Sequence, residues 1–441
     1  MNIKLIYPSQ RKANPGLKWW KQPRSHRYPG LGLLTVAALC PSYAKIKLVD
    51  DDFEEIDYKE DTDLVGISLL TINALRAYEI SKNFRERNIT VVFGGMHVTA
   101  CPEEAGEHAD AIVTGEAEDT WPSLLQDFEE GKLKKVYRSS NSSDLYNMPQ
   151  PRRDLLDKRK YVTVNTVQAT RGCPFDCEFC SITSLFGRRT RFRPVEEVIE
   201  EIKSLEGNIF LLNDDNIAQM NGYYRKLFLK LIPLKKRWAG NASWNIAKDE
   251  EMLKLLEKSG CRGLFVGFES LKPQPGVKKI ASSADNALLY KETVRKLHDH
   301  RIKVIGAFIF GFDHEDESVF DRTLEFILDS QIDAAQLNIL TPFPGTPLYR
   351  RLKREKRITE SNWNNYMTSN LCFKLKHMSQ ETFMEKFTRL KRKFHSYPNI
   401  GVRILRAAKT STPFELGILL GVNLGHRKSI MKFMRHHPSR A

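Results

Sequence analysis

The chain has 441 residues, 41% of them hydrophobic, which suits a soluble protein of two or three domains that each bury a core. Seven cysteines without a paired framework argue against a disulfide scaffold and predict a cytoplasmic protein. The N-terminus lacks the apolar core of a signal peptide, and no run reaches the roughly 18 apolar residues of a membrane span. The net charge of +15 leaves nucleic acid, anionic lipid or an anionic substrate open as partners.

Residues 1–145 alternate short apolar runs with helical patterns such as 73–87. Alternation of this kind favours an α/β fold with a doubly wound, Rossmann-like parallel sheet. Ligands of such sheets bind at the carboxyl ends of the strands. The predicted strands are 3–7, 45–50, 64–69, 90–93 and 111–114.

A polar stretch with two prolines predicts a linker at 146–160. A second alternating series then fills 161–370, and its helical patterns separate six strands. Six strands are too few for a closed eight-stranded barrel. The predicted strands are 162–169, 209–213, 242–246, 263–268, 303–310 and 334–340.

Cys173, Cys177 and Cys180 form a C-x3-C-x2-C run directly after the first strand of this second series. Three thiolates on one loop can each ligate an iron of a [4Fe–4S] cluster, which leaves the fourth iron open to a substrate. The alternative is a zinc knuckle, but zinc sites usually need a second cysteine pair. The other cysteines are isolated in the sequence; they are Cys40, Cys101, Cys261 and Cys372.

With Phe179 before the last cysteine and the lead-in Arg171-Gly172-Cys173-Pro174, this loop resembles the radical S-adenosylmethionine (SAM) superfamily. The resemblance implies a partial (β/α)6 TIM-type barrel over 161–370. It also implies that the free iron chelates SAM, which is cleaved reductively to a 5′-deoxyadenosyl radical. A low-potential electron donor, flavodoxin or ferredoxin, is the partner that such chemistry requires.

The N-terminal segment contains the phrases Gly94-Gly95-Met96-His97-Val98-Thr99, Pro102-Glu103-Glu104-Ala105 and Gly115-Glu116-Ala117-Glu118. With these phrases it resembles the cobalamin-binding domain that precedes the barrel in one subfamily. Its D-x-H-x-x-G motif, which supplies a histidine ligand in other cobalamin modules, is absent here. His97 is the candidate for direct contact with cobalamin, and the alternative is a turn histidine that hydrogen-bonds to the backbone. The residues that the resemblance assigns to the cofactor are Gly94, Gly95, His97, Thr99, Gly115 and Glu116.

Polar residues at later strand ends resemble the SAM contacts of the same family. Asn213, Asp214 and Asp215 follow the second strand, where an Asx turn that caps a helix is the alternative. Ser243 and Asn245 are predicted to share a strand face and to suit a ribose.

The fourth and fifth strands of the barrel series carry two more candidates. Glu269, in a G-x-E-S phrase, is a ribose or substrate contact or a structural ion pair. Gly311 ends a strand that resembles the adenine-packing strand of the family. The arginine-rich run 186–193 could bind the SAM carboxylate or an anionic substrate, or be a solvated lead-in to a helix.

Residues 371–441 are predicted to be helical and hold 15 Lys and Arg against 3 Asp and Glu. Apolar faces with basic flanks favour an interfacial helix on an anionic membrane, which would make the protein peripheral and suggest a lipid or isoprenoid-like substrate. A helical cap on the barrel is the alternative.

The sequence therefore predicts a radical SAM enzyme with a [4Fe–4S] cluster, SAM and cobalamin that methylates an unactivated carbon of a small molecule or lipid. The alternatives are a cobalamin-independent cyclase, rearrangement or C–C bond-forming enzyme, an RNA methylthiotransferase, and a non-catalytic Fe–S protein. Nucleic acid is not favoured as a partner, because the tail is helical rather than an RNA-binding β-barrel. The catalytic residues are not predicted.

Overall fold

The computed structural model describes residues 1–13, 28–139, 145–218, 222–272 and 286–436. The polar residues 141–143, on which the linker prediction partly rests, lie outside these ranges. Among the described helices, none is both long and apolar enough to cross a membrane.

The N-terminal unit is a six-stranded parallel sheet with helices on both faces. The strand order is β2-β1-β3-β4-β5-β6, and the core strands are apolar on both faces because helices cover each side. The strands are β1 Asn2–Tyr7, β2 Lys45–Asp50, β3 Leu64–Ser68, β4 Thr90–Gly94, β5 Ala111–Thr114 and β6 Val136–Arg138. The helices are α1 Gln10–Ala13, α2 Leu31–Ala38, α3 Ala74–Arg85, α4 Met96–Ala100, α5 Pro102–Glu107 and α6 Trp121–Glu129.

The second unit is an open half-barrel built from six parallel strands. Its order is β14-β13-β12-β11-β10-β7, and a small antiparallel pair, β8 and β9, flanks the cysteine loop. The strands are β7 Thr166–Val167, β8 Thr170–Arg171, β9 Arg191–Phe192, β10 Ile209–Leu212, β11 Arg237–Ser243, β12 Cys261–Glu269, β13 Lys303–Phe310 and β14 Ala334–Ile339. The helices are α7 Ser181–Phe186, α8 Val195–Ser204, α9 Gly222–Leu231, α10 Glu250–Lys258, α11 Ala287–Asp299, α12 Ser318–Asp329 and α13 Pro347–Arg354.

Three basic helices follow the barrel: α14 Gln380–Phe394, α15 Tyr397–Ala408 and α16 Pro413–His436. Helix α14 buries Phe383 and Phe387 in the barrel core. Helices α15 and α16 pack Ala407 and Leu419 on Ala334 at the start of β14, and Asn423 donates to the Asp333 carbonyl. Helices α15 and α16 therefore cover the amino ends of the barrel strands, away from the cysteine loop.

The predicted α/β class, with a doubly wound sheet, a partial barrel and a helical end, is confirmed. The strand predicted at 242–246 is wrong in position, because β11 ends at Ser243 and a 3₁₀ helix, Trp244–Lys248, follows. Only two residues of 162–169 pair in the sheet as β7. The short strand β6 was not predicted, since three residues carry too little periodicity.

Candidate active site at the cysteine loop

The three cysteines lie on the loop between β8 and α7, at the carboxyl ends of the barrel strands. Cys177 is buried, and Cys173 and Cys180 are partly exposed. The backbone turns tightly, since the Cys180 N–H donates to the Cys177 carbonyl over 3.0 Å. A partly exposed set of thiols on one turn fits a three-cysteine [4Fe–4S] cluster that stays accessible from the barrel mouth.

Two aspartates that were predicted to contact SAM hold the strand and loop that lead to the cysteines. Buried Asp214 accepts hydrogen bonds from the Ala169 and Thr170 N–H groups and from the Tyr224 hydroxyl. Burial raises the pKa of Asp214 to about 6. Asp215 accepts from the Gly172 N–H over 3.0 Å. Both carboxylates are thus engaged with this chain, and a contact with SAM stays a prediction.

Glycine is needed at position 172 for two reasons, its backbone conformation and the close packing around it. Its φ is +93°, a conformation that glycine adopts without strain. A Cβ at this position would lie 2.5 Å from the Arg189 carbonyl oxygen. The glycine before the first cysteine therefore allows β8 and the segment before β9 to approach closely.

Helix α13 anchors the other side of the loop. The Leu348 N–H donates to the Glu178 carbonyl over 2.9 Å, and Arg351 forms a bidentate pair with the Glu178 carboxylate. Arg351 also bonds to Asp313 after β13. One guanidinium therefore ties the cysteine loop to the neighbouring strand end, with the bidentate geometry that arginine favours.

The predicted aromatic residue and the predicted glycine meet at the same place. Phe179 packs edge-on against Phe312 with ring centroids 6.1 Å apart, and Phe312 follows Gly311. The Gly311 N–H and the Phe312 N–H both donate to Glu315. The end of β13 is thus connected directly to the cysteine loop.

Sequence reasoning missed Glu315, which is 3% exposed. Its carboxylate also accepts from Ser270, so it joins the ends of β12 and β13. Burial raises the pKa of Glu315 to about 7. The buried role of Glu315 was hard to predict from the sequence, because a glutamate between a strand and a helix is also common in the first turn of a helix.

The remaining predicted SAM contacts lie at the strand ends of the same mouth. Asn213 is exposed. Ser243 is buried and contacts Asn245, although strand alternation does not extend to Asn245 because the strand has ended. Glu269 has a φ of +64° where the register between β12 and β13 shifts. Such a conformation is uncommon for a residue other than glycine, and a SAM contact by Glu269 stays a prediction.

At the carboxyl edge of the first sheet, the predicted cofactor residues connect β3, β4 and β5. Gly95 has a φ of +102°, and a Cβ there would lie 2.7 Å from the Leu69 carbonyl oxygen. Gly94 ends β4, and the Thr99 hydroxyl accepts from the Gly115 N–H over 3.0 Å. Closely approaching glycine backbone at such an edge fits a bound cofactor.

His97 lies in a closed polar cluster beneath this edge. Its ring is 0% exposed, with Nδ1 3.3 Å from the Thr71 hydroxyl and Nε2 3.1 Å from the Tyr78 hydroxyl. Burial lowers its pKa. A cobalamin contact by this ring stays a prediction, and it would require the ring to leave these partners.

The first sheet contacts the cysteine loop through buried ion pairs. Glu116 pairs with Arg191, Nη1 to Oε2 2.9 Å, and with Arg171, Nη1 to Oε2 3.3 Å. Glu118 pairs with Arg171 as well. Arg171 lies two residues before Cys173, so the cofactor edge of one domain is fixed beside the cluster loop of the other.

Three of the four arginines in the run 186–193, Arg188, Arg191 and Arg193, are likewise paired with carboxylates of this chain. Arg188 lies 2.5 Å from Asp176, and Arg193 lies 2.6 Å from Glu201. These pairs favour a structural role of the run over binding of the SAM carboxylate.

Comparison with known families agrees with this geometry. Residues 167–327 match the model of the radical SAM superfamily, and residues 25–125 match the B12 binding domain. The first match begins with β7 and includes the three cysteines.

Named relatives extend the similarity over most of the chain. The bacteriochlorophyllide d C-12(1)-methyltransferase of Chlorobaculum tepidum is 32% identical over 83% of this chain and 82% of its own length. This chain belongs to the radical SAM superfamily. The hopanoid C-2 methylase of Rhodopseudomonas palustris is 29% identical over 79% of this chain and 68% of that protein. An anaerobic magnesium-protoporphyrin IX monomethyl ester cyclase of Cereibacter sphaeroides is 26% identical over 69% of this chain and 56% of that protein.

Among solved structures, the radical SAM methyltransferase TsrM from Kitasatospora setae, with tryptophan and a SAM analogue bound, has a TM-score of 0.68 and 15% identity over 99% of both chains. At that identity it supports the fold alone. The predicted family, its enzymatic nature and its cofactors, a [4Fe–4S] cluster, SAM and cobalamin, are confirmed by these findings together.

Proposed function

We propose that this protein methylates an unactivated carbon of a largely apolar small molecule, with SAM and cobalamin as cofactors. The observation that carries the proposal is the buried ion-pair cluster of Glu116, Glu118, Arg171 and Arg191. It fixes the cofactor edge of the B12 domain against the cluster loop, so that both cofactors would share one reaction space. The named methyltransferase relatives support the same reaction.

When bound, the cluster and SAM supply a radical that abstracts hydrogen, and cobalamin carries the methyl group. The work of this chain is to hold and orient these groups. Cys173, Cys177 and Cys180 would hold the cluster. Asp215 and Arg351 fix the loop that carries them.

The strand ends of the barrel would hold SAM and exclude water from it. We expect Asn213, Asn245 and Glu269 to provide the polar contacts, and Gly311 with Phe312 to line the adenine. Gly94, Gly95 and Gly115 would allow cobalamin to approach the backbone of the first sheet.

The substrate class is proposed from the relatives, whose names refer to a bacteriochlorophyllide and to hopanoids. The test is to incubate the reconstituted enzyme with trideuteromethyl-labelled SAM, a reduced electron donor and either chlorophyllide pigments or extracted polycyclic lipids. A product that gains one labelled methyl group supports the proposal, whereas SAM cleavage without label transfer to any carbon contradicts it.

Cyclisation is the second candidate, because the cyclase relative covers two thirds of the chain. The same labelling experiment separates the two functions. A cyclase would change its substrate without gaining label.

Membrane-surface contact is proposed for the C-terminal helices. Leu405 is 72% exposed on α15, and other apolar side chains on α15 and α16 are partly exposed. Exposed basic residues flank them, which suits an anionic bilayer. The apolar residues are Val402, Leu405, Ile418, Leu420 and Leu424, and the basic ones are Arg406, Lys409 and Lys428.

A further inference from the structure

The basic surface of helix α13 lies next to the cysteine loop and is not explained by binding of SAM or cobalamin. Residues 347–357 hold six Lys and Arg and one acidic residue. The buried face of the helix carries Leu348 and Leu352. Arg351 forms ion pairs with Glu178 and Asp313. Charge on the opposite face therefore has no role in the site described above.

That opposite face carries basic side chains. Arg350, Lys353 and Arg354 are exposed, and their spacing of three and four residues places them together on one side of the helix. Lys356 extends the exposed charge beyond the helix end. These four exposed basic residues, Arg350, Lys353, Arg354 and Lys356, are here called the α13 face.

The α13 face lies beside the cysteine loop on two grounds. The helix begins with the contact between Leu348 and the Glu178 carbonyl, next to Cys177. The Ser184 hydroxyl of α7 donates to the Gly345 carbonyl over 3.1 Å, so the helix after the cysteines also touches the turn before α13. A partner bound to this face would be separated from the cluster loop by about the 10 Å diameter of one helix.

We infer that the α13 face is the docking surface for an acidic one-electron carrier protein that reduces the cluster. This inference rests on the proposed function, because only a redox-active cluster needs such a partner. In the step, the reduced carrier loses one electron and the oxidised cluster gains it, with no bond formed or broken and no proton transferred. Exposed positive charge beside the acceptor would raise the encounter rate of a negatively charged donor, as complementary charge does in general.

The experiment uses the full-length protein with its cluster reconstituted, without substrate or cobalamin. A reduced recombinant flavodoxin, which is an acidic flavin protein, serves as the probe. Stopped-flow absorbance follows oxidation of the flavodoxin, and electron paramagnetic resonance counts the reduced clusters. We compare the wild type with the variant Lys353→Glu/Arg354→Glu.

A variant with the same charge change far from the cluster is the matched control. Lys235→Glu/Lys258→Glu reverses two exposed basic residues just before β11 and β12, at the opposite end of the barrel. Dithionite, which needs no docking, should reduce the clusters of all three proteins to the same extent.

We expect the second-order rate constant for flavodoxin to fall about tenfold in the α13 variant and to change little in the control. The difference should shrink when salt shortens the Debye length below its value of about 8 Å at 0.15 M. Equal rates in the two variants would overturn the inference, whether both stay fast or both slow down. If no cluster can be reduced even by dithionite, the proposed function fails instead, and the two failures are therefore distinguishable.

Discussion

Replacement of Glu116 by glutamine tests whether the buried ion pairs hold the two domains together. Glu116 is 4% exposed, and its partners Arg171 and Arg191 have side chains that are 11% and 9% exposed. The substitution keeps the size and one hydrogen-bond acceptor but removes the charge between two buried guanidinium groups.

The expected cost follows from the burial. Removal of one partner of a buried ion pair typically costs about 3–5 kcal/mol, because the remaining charge is left uncompensated. Glu118 still accompanies Arg171, and glutamine still accepts one bond, so we expect about 3 kcal/mol. That is a large share of a total stability of about 5–15 kcal/mol.

Urea unfolding followed by tryptophan fluorescence measures this loss, since Trp121 reports on the first domain and Trp238 on the barrel. The control is Glu206→Gln, which removes an equally close but exposed pair with Lys158 and should leave the midpoint unchanged. If the Glu116 variant unfolds at the same midpoint as the control, the ion pairs do not join the domains as argued.

Three further predictions use single substitutions, two of them with a matched control variant. Glu315→Gln should abolish a loss of stability that the wild type shows between about pH 4.5 and pH 7. Folded Glu315 keeps a proton that the unfolded chain has released, and with a folded pKa of about 7 the wild type loses about 3 kcal/mol over that range. If the free energies of unfolding of the two proteins have the same slope against pH, the prediction is contradicted. Arg351→Lys should lower the iron retained per chain after gel filtration, since lysine cannot pair with Glu178 in a bidentate way; Arg350→Lys on the exposed face should retain wild-type iron, and equal retention in both would refute the anchoring role. Leu405→Glu should reduce co-sedimentation with anionic vesicles, whereas Leu288→Glu, at a residue that is 80% exposed on α11, should not; identical binding by both variants would remove the membrane proposal.

The strands of both sheets could be predicted mainly because parallel strands buried on both faces form short, continuous apolar runs. Strand β13 was predicted at its exact bounds, Lys303–Phe310. Strand β11 was misplaced because it contains Gly240 and Asn241, which have low strand propensity, while Trp244 after it attracted the prediction. Tertiary pairing with β10 and β12 decides its position.

The cysteine loop was recognised because its chemistry depends on local spacing, and spacing is visible in the sequence. The roles of carboxylates were harder to predict, since they depend on what burial brings together. Asp214 resembles a ligand in sequence but is enclosed by Tyr224 and two backbone N–H groups. Glu116 resembles a cofactor residue but pairs with arginines more than 50 positions away in the chain.

The most direct test of the account is reductive SAM cleavage by the anaerobically reconstituted protein. With SAM and dithionite, the wild type should release 5′-deoxyadenosine, and added cobalamin should bind with a change in its visible spectrum. The Cys177→Ala variant should lose SAM cleavage but still bind cobalamin. A zinc-only preparation, or deoxyadenosine formation that persists in Cys177→Ala, would contradict the assignment of the cysteine loop as the catalytic centre.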